Sequence, residues 1–109
     1  MIWQILLYES TRHERPVEEF IKTLEKGTAP KVAHVIDLLE IHGSSLRMPY
    51  SKKLTQRIYE LRIRGVEEIR ILYSFGKKGE IYLLHGFKKK SQKIPRKEVV
   101  IAQDRLDSI

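Results

Sequence analysis

Apolar and polar residues alternate with a period of two along three short runs, residues 58–64, 69–75 and 81–87. The runs are rich in β-branched and aromatic residues and turn signals bound them, which predicts three strands. Gly65-Val66-Glu67-Glu68 joins the first two, and Gly76-Lys77-Lys78-Gly79 joins the second and third. Connections that short force antiparallel neighbours, so the runs form a meander. Ahead of them, residues 2–9 read as a strand with Trp3, Ile5 and Leu7 on one face, and residues 10–14 as a polar connection. The period then lengthens. Pro16 suits the first turn of a helix, Val17, Phe20, Ile21 and Leu24 recur at helical spacing, and Gly27 is a natural stop. A second helix runs from Pro30 to about Ile41 on a stripe of Val32, Val35, Ile36 and Leu39, and His42-Gly43 closes it. The short link between the two predicts an antiparallel helical hairpin, which must bury its stripes on one face of the sheet. Residues 43–53 read as an exposed loop. Pro95 opens a last helix with a weak stripe of Val99, Ala102 and Leu106. The expected fold is α+β, one domain over residues 1–109: N-terminal strand, helical hairpin, three-stranded antiparallel meander and C-terminal helix.

With 109 residues the chain can build a single modest core and not two. No apolar run is long enough to span a bilayer, and nothing before Ile5-Leu6-Leu7-Tyr8 resembles a signal peptide. Cysteine is absent, which excludes disulfides and thiolate metal sites and fits a cytoplasmic protein. Charge changes the picture more. Residues 47–97 hold 15 Lys/Arg against 4 Asp/Glu, a local balance of +11, while the rest of the chain stands at −4. Basic charge therefore gathers on the meander, as expected for a phosphate-bearing partner.

Strand geometry sorts the candidates. Tyr59, Leu61 and Ile63 share one face; Glu60, Arg62 and Arg64 share the other. In the next strand Ile69, Ile71, Tyr73 and Phe75 form the apolar set, with Arg70 opposite. The apolar sets should face the helices, leaving Arg62 and Arg70 together on an open face. Two guanidiniums there suit a phosphate, the plain alternative being surface ion pairs with Glu60, Glu67 or Glu68. Lys88-Lys89-Lys90, then Lys93, Arg96 and Lys97, leave the last strand beside that face. Phe87 and Tyr82 either stack a base or belong to the core. His85 is a candidate acid or base, yet alternation groups it with Ile81, Leu83 and Phe87, the position of a buried structural histidine. His13, His34 and His42 are scattered without metal-ligand spacing, and no phosphate-cradling glycine motif is present. A metal-dependent nuclease is disfavoured, and no cofactor is expected.

Tyr59-Glu60-Leu61-Arg62, Arg70 with Ile71-Leu72-Tyr73, Leu84-His85-Gly86-Phe87, Lys89-Lys90 and Pro95 follow one another in a recognisable order. Together they resemble the phage-derived, HigB-like branch of the RelE/ParE toxin superfamily, over almost the whole chain. The resemblance implies a RelE-like fold and the toxin of a type II toxin–antitoxin pair. Such a toxin is a ribosome-dependent mRNA endonuclease that cuts in the A site without metal and is covered by a small helix-turn-helix antitoxin. Relatives on the ParE side share the fold but poison DNA gyrase, and a non-catalytic RNA-binding module is a further alternative. Carried over residue by residue, Arg62 and Arg70 match the strand positions that grip the scissile phosphate. Lys89 and Lys90 match the basic pair after the last strand, and His85 falls inside the matched motif as a further catalytic candidate. Arg64, Lys88, Phe87, Lys93 and Lys97 are the implied RNA contacts. Some RelE-type toxins use a C-terminal tyrosine for proton transfer; residues 93–98 hold none, which leaves the base open, and a lysine could serve only with its pKa lowered by neighbouring cations such as those of Lys88–Lys90.

Overall fold

A computed structural model describes residues 2–109. Its centre is the expected meander, β3 (Tyr59–Ile63), β4 (Ile69–Phe75) and β5 (Glu80–Lys88), paired antiparallel throughout. Two further strands complete a five-stranded mixed sheet. β1 (Gln4–Leu7) lies parallel to β5, and β2 (Ser51–Lys53) lies antiparallel to β3, in the spatial order β1-β5-β4-β3-β2. β2 corrects the expectation of an exposed loop over 43–53. Three residues are too few to display alternation, but Ser51 is buried and its hydroxyl hydrogen-bonds the Tyr73 hydroxyl.

The helices α1 (Pro16–Lys22) and α2 (Ala29–His42) cover one face. Val17, Val32, Val35 and Leu39 pack there against Leu61, Ile63, Ile69, Ile71, Ile81 and Leu83, with Trp3 just ahead of β1 and Ile5 and Leu7 within it. α1 stops a turn before Gly27. The Thr23 hydroxyl bonds the Phe20 carbonyl, a local bond that competes with continuing the helix, while Leu24 still reaches the core. A single 3₁₀ turn, Gly43–Ser45, follows α2 and turns under Trp3.

The opposite face is not open, as alternation suggested. α3 (Arg96–Asp107) docks on β5 and β4, burying Ala102 and Leu106 against Ile58, Leu72, Leu84 and Phe87. That face is divided: apolar where α3 lies, charged where Glu60, Arg62 and Arg70 lie. A bulge in β5 makes the division possible. Leu72 pairs with His85 and Tyr73 with Leu83, so Leu84 is the extra residue. Beyond the bulge the strand reverses its faces, and His85 lies opposite Leu72, on the α3 side. The expected grouping of His85 with Ile81 and Leu83 is therefore overturned; only Phe87 stays with it, their rings stacked 5.5 Å apart. Among the described residues, no helix is long and apolar enough to cross a membrane.

Candidate nucleic-acid interface

Arg62 and Arg70 are direct register partners across β3 and β4. Like charges directly opposite destabilise a strand pair unless something neutralises them. Two carboxylates do so. Glu60, 2% exposed, places its carboxylate 3.4 Å from Arg70 Nε and 3.8 Å from Arg62 Nε. Glu68 accepts a hydrogen bond from Arg70 Nη2 at 3.1 Å and lies 3.9 Å from Arg64 Nε. Arg70 Nη1 also donates to the Ile69 carbonyl at 3.0 Å, and the whole residue is 1% exposed. The ion pairing raised as the plain alternative is thus present, at greater depth than a surface pair. Burial works against the charge on Glu68, but the Arg70 hydrogen bond, the charges of Arg70 and Arg64 and a backbone N–H outweigh it. Its carboxyl titrates below the ordinary glutamate range. Arg70 Nε, Arg62 Nε and Glu60 Oε2 are buried without a well-aligned hydrogen bond, so this charged cluster is under-satisfied.

Above the cluster opens a cleft of about 510 Å³ lined by Arg62, Arg64, Glu68, Arg70, Lys89, Lys90, Ser91 and Gln92. Five cations meet one carboxylate on its walls. Lys89 is brought there by the backbone: its N–H bonds the Glu68 carbonyl at 2.8 Å, extending the β4–β5 ladder one step past β5. Of the cations, Arg70 forms the buried floor, Arg62 and Lys89 are half-buried, and Arg64 and Lys90 are exposed.

The remaining candidates fall elsewhere. Lys88 points to the other face, where its ammonium meets Glu67 Oε2 at 2.6 Å and the Thr28 hydroxyl donates to Glu67 Oε1 at 2.8 Å. The Lys88 hydrogen bond chiefly, and then that of Thr28, hold the Glu67 carboxyl below its usual range; Glu67 in turn raises Lys88. A lowered carboxyl stabilises the fold above its unfolded pKa and loses that contribution as pH falls through the folded value. At neutral pH both partners of the pair contribute. Glu67→Gln should therefore lower the melting temperature at pH 7, with the gap to the parent closing below about pH 4. Thermal melts from pH 3 to 8 read this directly, and a gap independent of pH would refute it.

Phe87, 7% exposed, is a core residue beneath α3. His85 lies outside the cleft lining. Its Nε2 is 2.9 Å from Glu98 Oε1 and its Nδ1 is 3.3 Å from Arg105 Nη1, which also donates to the Leu84 carbonyl at 2.8 Å. An acceptor on one side and a donor on the other assign the proton to Nε2. Lys93 and Lys97 are exposed and do not line the cleft. The structure thus gathers Arg62, Arg64, Arg70, Lys89 and Lys90, and leaves Lys88, Phe87, His85, Lys93 and Lys97 apart. Ser91 and Gln92 were not anticipated, and Glu60 and Glu68 only as pairing partners. Two arginines opposite each other in adjacent strands are the signal that a buried carboxylate is required. Among the described residues, no group of three or more His, Asp or Glu side chains is arranged to hold a metal ion.

No curated protein matches the chain. A family model does: Phage derived protein Gp49-like (DUF891), over residues 19–107. That span contains α2, the β2–β5 strands, α3 and every residue lining the cleft. The chain belongs to the phage-derived Gp49-like family of the RelE/ParE-like toxin superfamily, a family of toxins from toxin–antitoxin systems.

Proposed function

We propose that this chain is a HigB-like, ribosome-dependent mRNA endonuclease that cuts the message in the A site without a metal ion. The observation that carries the reading is the cleft: five cations converge on one hollow, and their closest carboxylates are already engaged by Arg70. Family membership supports a toxin with an antitoxin partner, which we take to be a small helix-turn-helix protein. A ribosomal target places its work in the cytoplasm.

The chemistry uses the substrate's own nucleophile. The 2′-oxygen attacks the adjacent phosphorus in line and gives its proton to a base. The bond to the 5′-oxygen breaks, that oxygen takes a proton, and a 2′,3′-cyclic phosphate remains on the upstream fragment. Charge that builds on the phosphorane is met by Arg62, Arg64 and Lys90, the cations that line the cleft above Arg70. Arg70, closed in by Glu60 and Glu68, positions this set from the floor of the cleft. Lys89, half-buried and anchored through its backbone, is the base in this scheme. His85 holds α3 on the sheet through Glu98 and Arg105.

Primer extension on a defined mRNA, with and without translating ribosomes, tests the reading. Cuts within codons should appear only with ribosomes. Arg62→Ala and Lys89→Ala should each lower cleavage by about 10²-fold, the loss expected for one preorganised group at a developing charge. Full cleavage by Lys89→Ala would remove the lysine base. An intact message while growth still stops would redirect the search to gyrase and a supercoiling assay. An intact message without toxicity would leave a non-catalytic RNA-binding module.

A further inference from the structure

We propose that the groove beside the phosphate cleft is a base pocket for the RNA strand, in which Tyr50 stacks on the nucleobase next to the phosphate held by Arg62 and Arg64. The inference rests on the RNA reading of the cleft and adds a subsite to it. The groove measures about 490 Å³ and is walled by Val35 of α2, Ile63 of β3, Pro49 and Tyr50.

Arg62 and Arg64 line the groove and the cleft alike. Successive residues of a strand point to opposite faces, so Ile63 turns toward α2 while Arg62 turns toward the cleft. The two hollows therefore meet around the end of β3, and one strand of nucleic acid can occupy both. Tyr50 is tied to that junction. Its carbonyl accepts the Arg62 N–H at 2.8 Å, so the ring stands on the backbone neighbour of a phosphate ligand, with 38% of the residue exposed.

The charge of the rim agrees. Lys31 and His34 complete it, and no carboxylate lines this groove. An apolar slot with an aromatic wall, edged by cations and continuous with a phosphate site, matches the way single strands are bound: backbone on charge, bases on rings. An acidic peptide would also meet the cations. It would have no use for the continuity with the phosphate cleft.

The test is a titration of the protein into a short single-stranded RNA carrying 2-aminopurine, whose fluorescence is quenched by stacking. Lys90→Ala serves as the comparison, since Lys90 lines the cleft and not the groove. The parent should quench at saturation. Tyr50→Ala, a change at an exposed ring, should lose the quench and bind roughly five- to hundredfold more weakly. Lys90→Ala should bind more weakly yet still quench when saturated. A full quench by Tyr50→Ala would overturn the base pocket. RNA binding by the parent without quenching would overturn it too and give the groove to a protein partner. No RNA binding at all would overturn the pocket, while the RNA reading of the cleft would still be decided by cleavage on the ribosome. A message left intact on the ribosome would overturn nuclease activity alone, and this titration would still decide the pocket.

Discussion

Arg70→Leu should lower the melting temperature by about 10 °C or more, because removing one member of a buried ion pair costs roughly 3–5 kcal/mol. Glu60, 2% exposed, would lose its nearest cation, and Glu68 would lose its hydrogen-bond donor. Arg62 is the only other guanidinium paired with Glu60, at 3.8 Å and without hydrogen-bond alignment. The cost therefore comes from the stranded carboxylate more than from the lost contact. The double variant Glu60→Leu/Arg70→Leu isolates that term. Replacing both charges with apolar groups removes the stranded ion, so most of the loss should be recovered. Thermal melts at pH 7 decide it. A single variant within two or three degrees of the parent, on the order of the effect of a surface change, would mean that the cluster is far more hydrated than its exposure indicates. The recovered double variant has a second use, since it carries a folded cleft without the buried cation. Its cleavage of message on ribosomes would separate what Arg70 does for the fold from what it does for RNA.

Gly43→Ala should be nearly as damaging, for a reason unrelated to charge. Gly43 has φ of +50° and ψ of −121°, a conformation that side chains rarely adopt. A Cβ there would also run into the Trp3 indole. Backbone strain of about 1–3 kcal/mol and overpacking of a similar size should act together. Trp3 is the chain's single tryptophan, so its fluorescence reports on this contact without labelling. The expected result is a melting temperature lowered by at least about 8 °C, with a shifted tryptophan emission before the transition. An unchanged spectrum and melt would show that the turn after α2 can move away from β1 without penalty.

The parts of the molecule legible in its sequence are those where one rule acts over several residues. Alternation runs unbroken through β3 and is broken in β4 only at Leu72, and the stripe of Val32, Val35 and Leu39 returns at helical spacing. What was hidden depends on partners. β2 is three residues long and becomes a strand only because Leu61 and Tyr59 present their backbone to it. The bulge at Leu84 leaves no mark in the composition of β5, yet it moves His85 to the other side of the sheet. The second core was masked because Leu72 and Leu84 sit next to residues of the first core, Ile71, Tyr73 and Leu83, and α3 brings a sparse stripe. The candidate site divides in the same way. Arg62, Arg70, Lys89 and Lys90 could be named from the basic run and the strand faces. That Arg70 is the floor, bound by two carboxylates, follows only from the register of β3 against β4.

The placement of β1 has a kinetic consequence. It is synthesised before β5, yet among the described residues β5 is its only strand neighbour, with Gln4 against Glu80 and Leu7 against Leu83. Pairings between segments so distant in the chain form late and slowly, because the intervening loop must first be closed. A nascent chain therefore emerges from the ribosomal tunnel with β1 waiting, and the sheet closes only once residue 88 has been made. Lys89 and Lys90 come next, and α3 after them. Message interrupted before that point yields a chain whose β1 edge lacks its partner and whose basic cleft is missing two of its five cations, so the sheet and the cleft are completed together, late in synthesis of the domain.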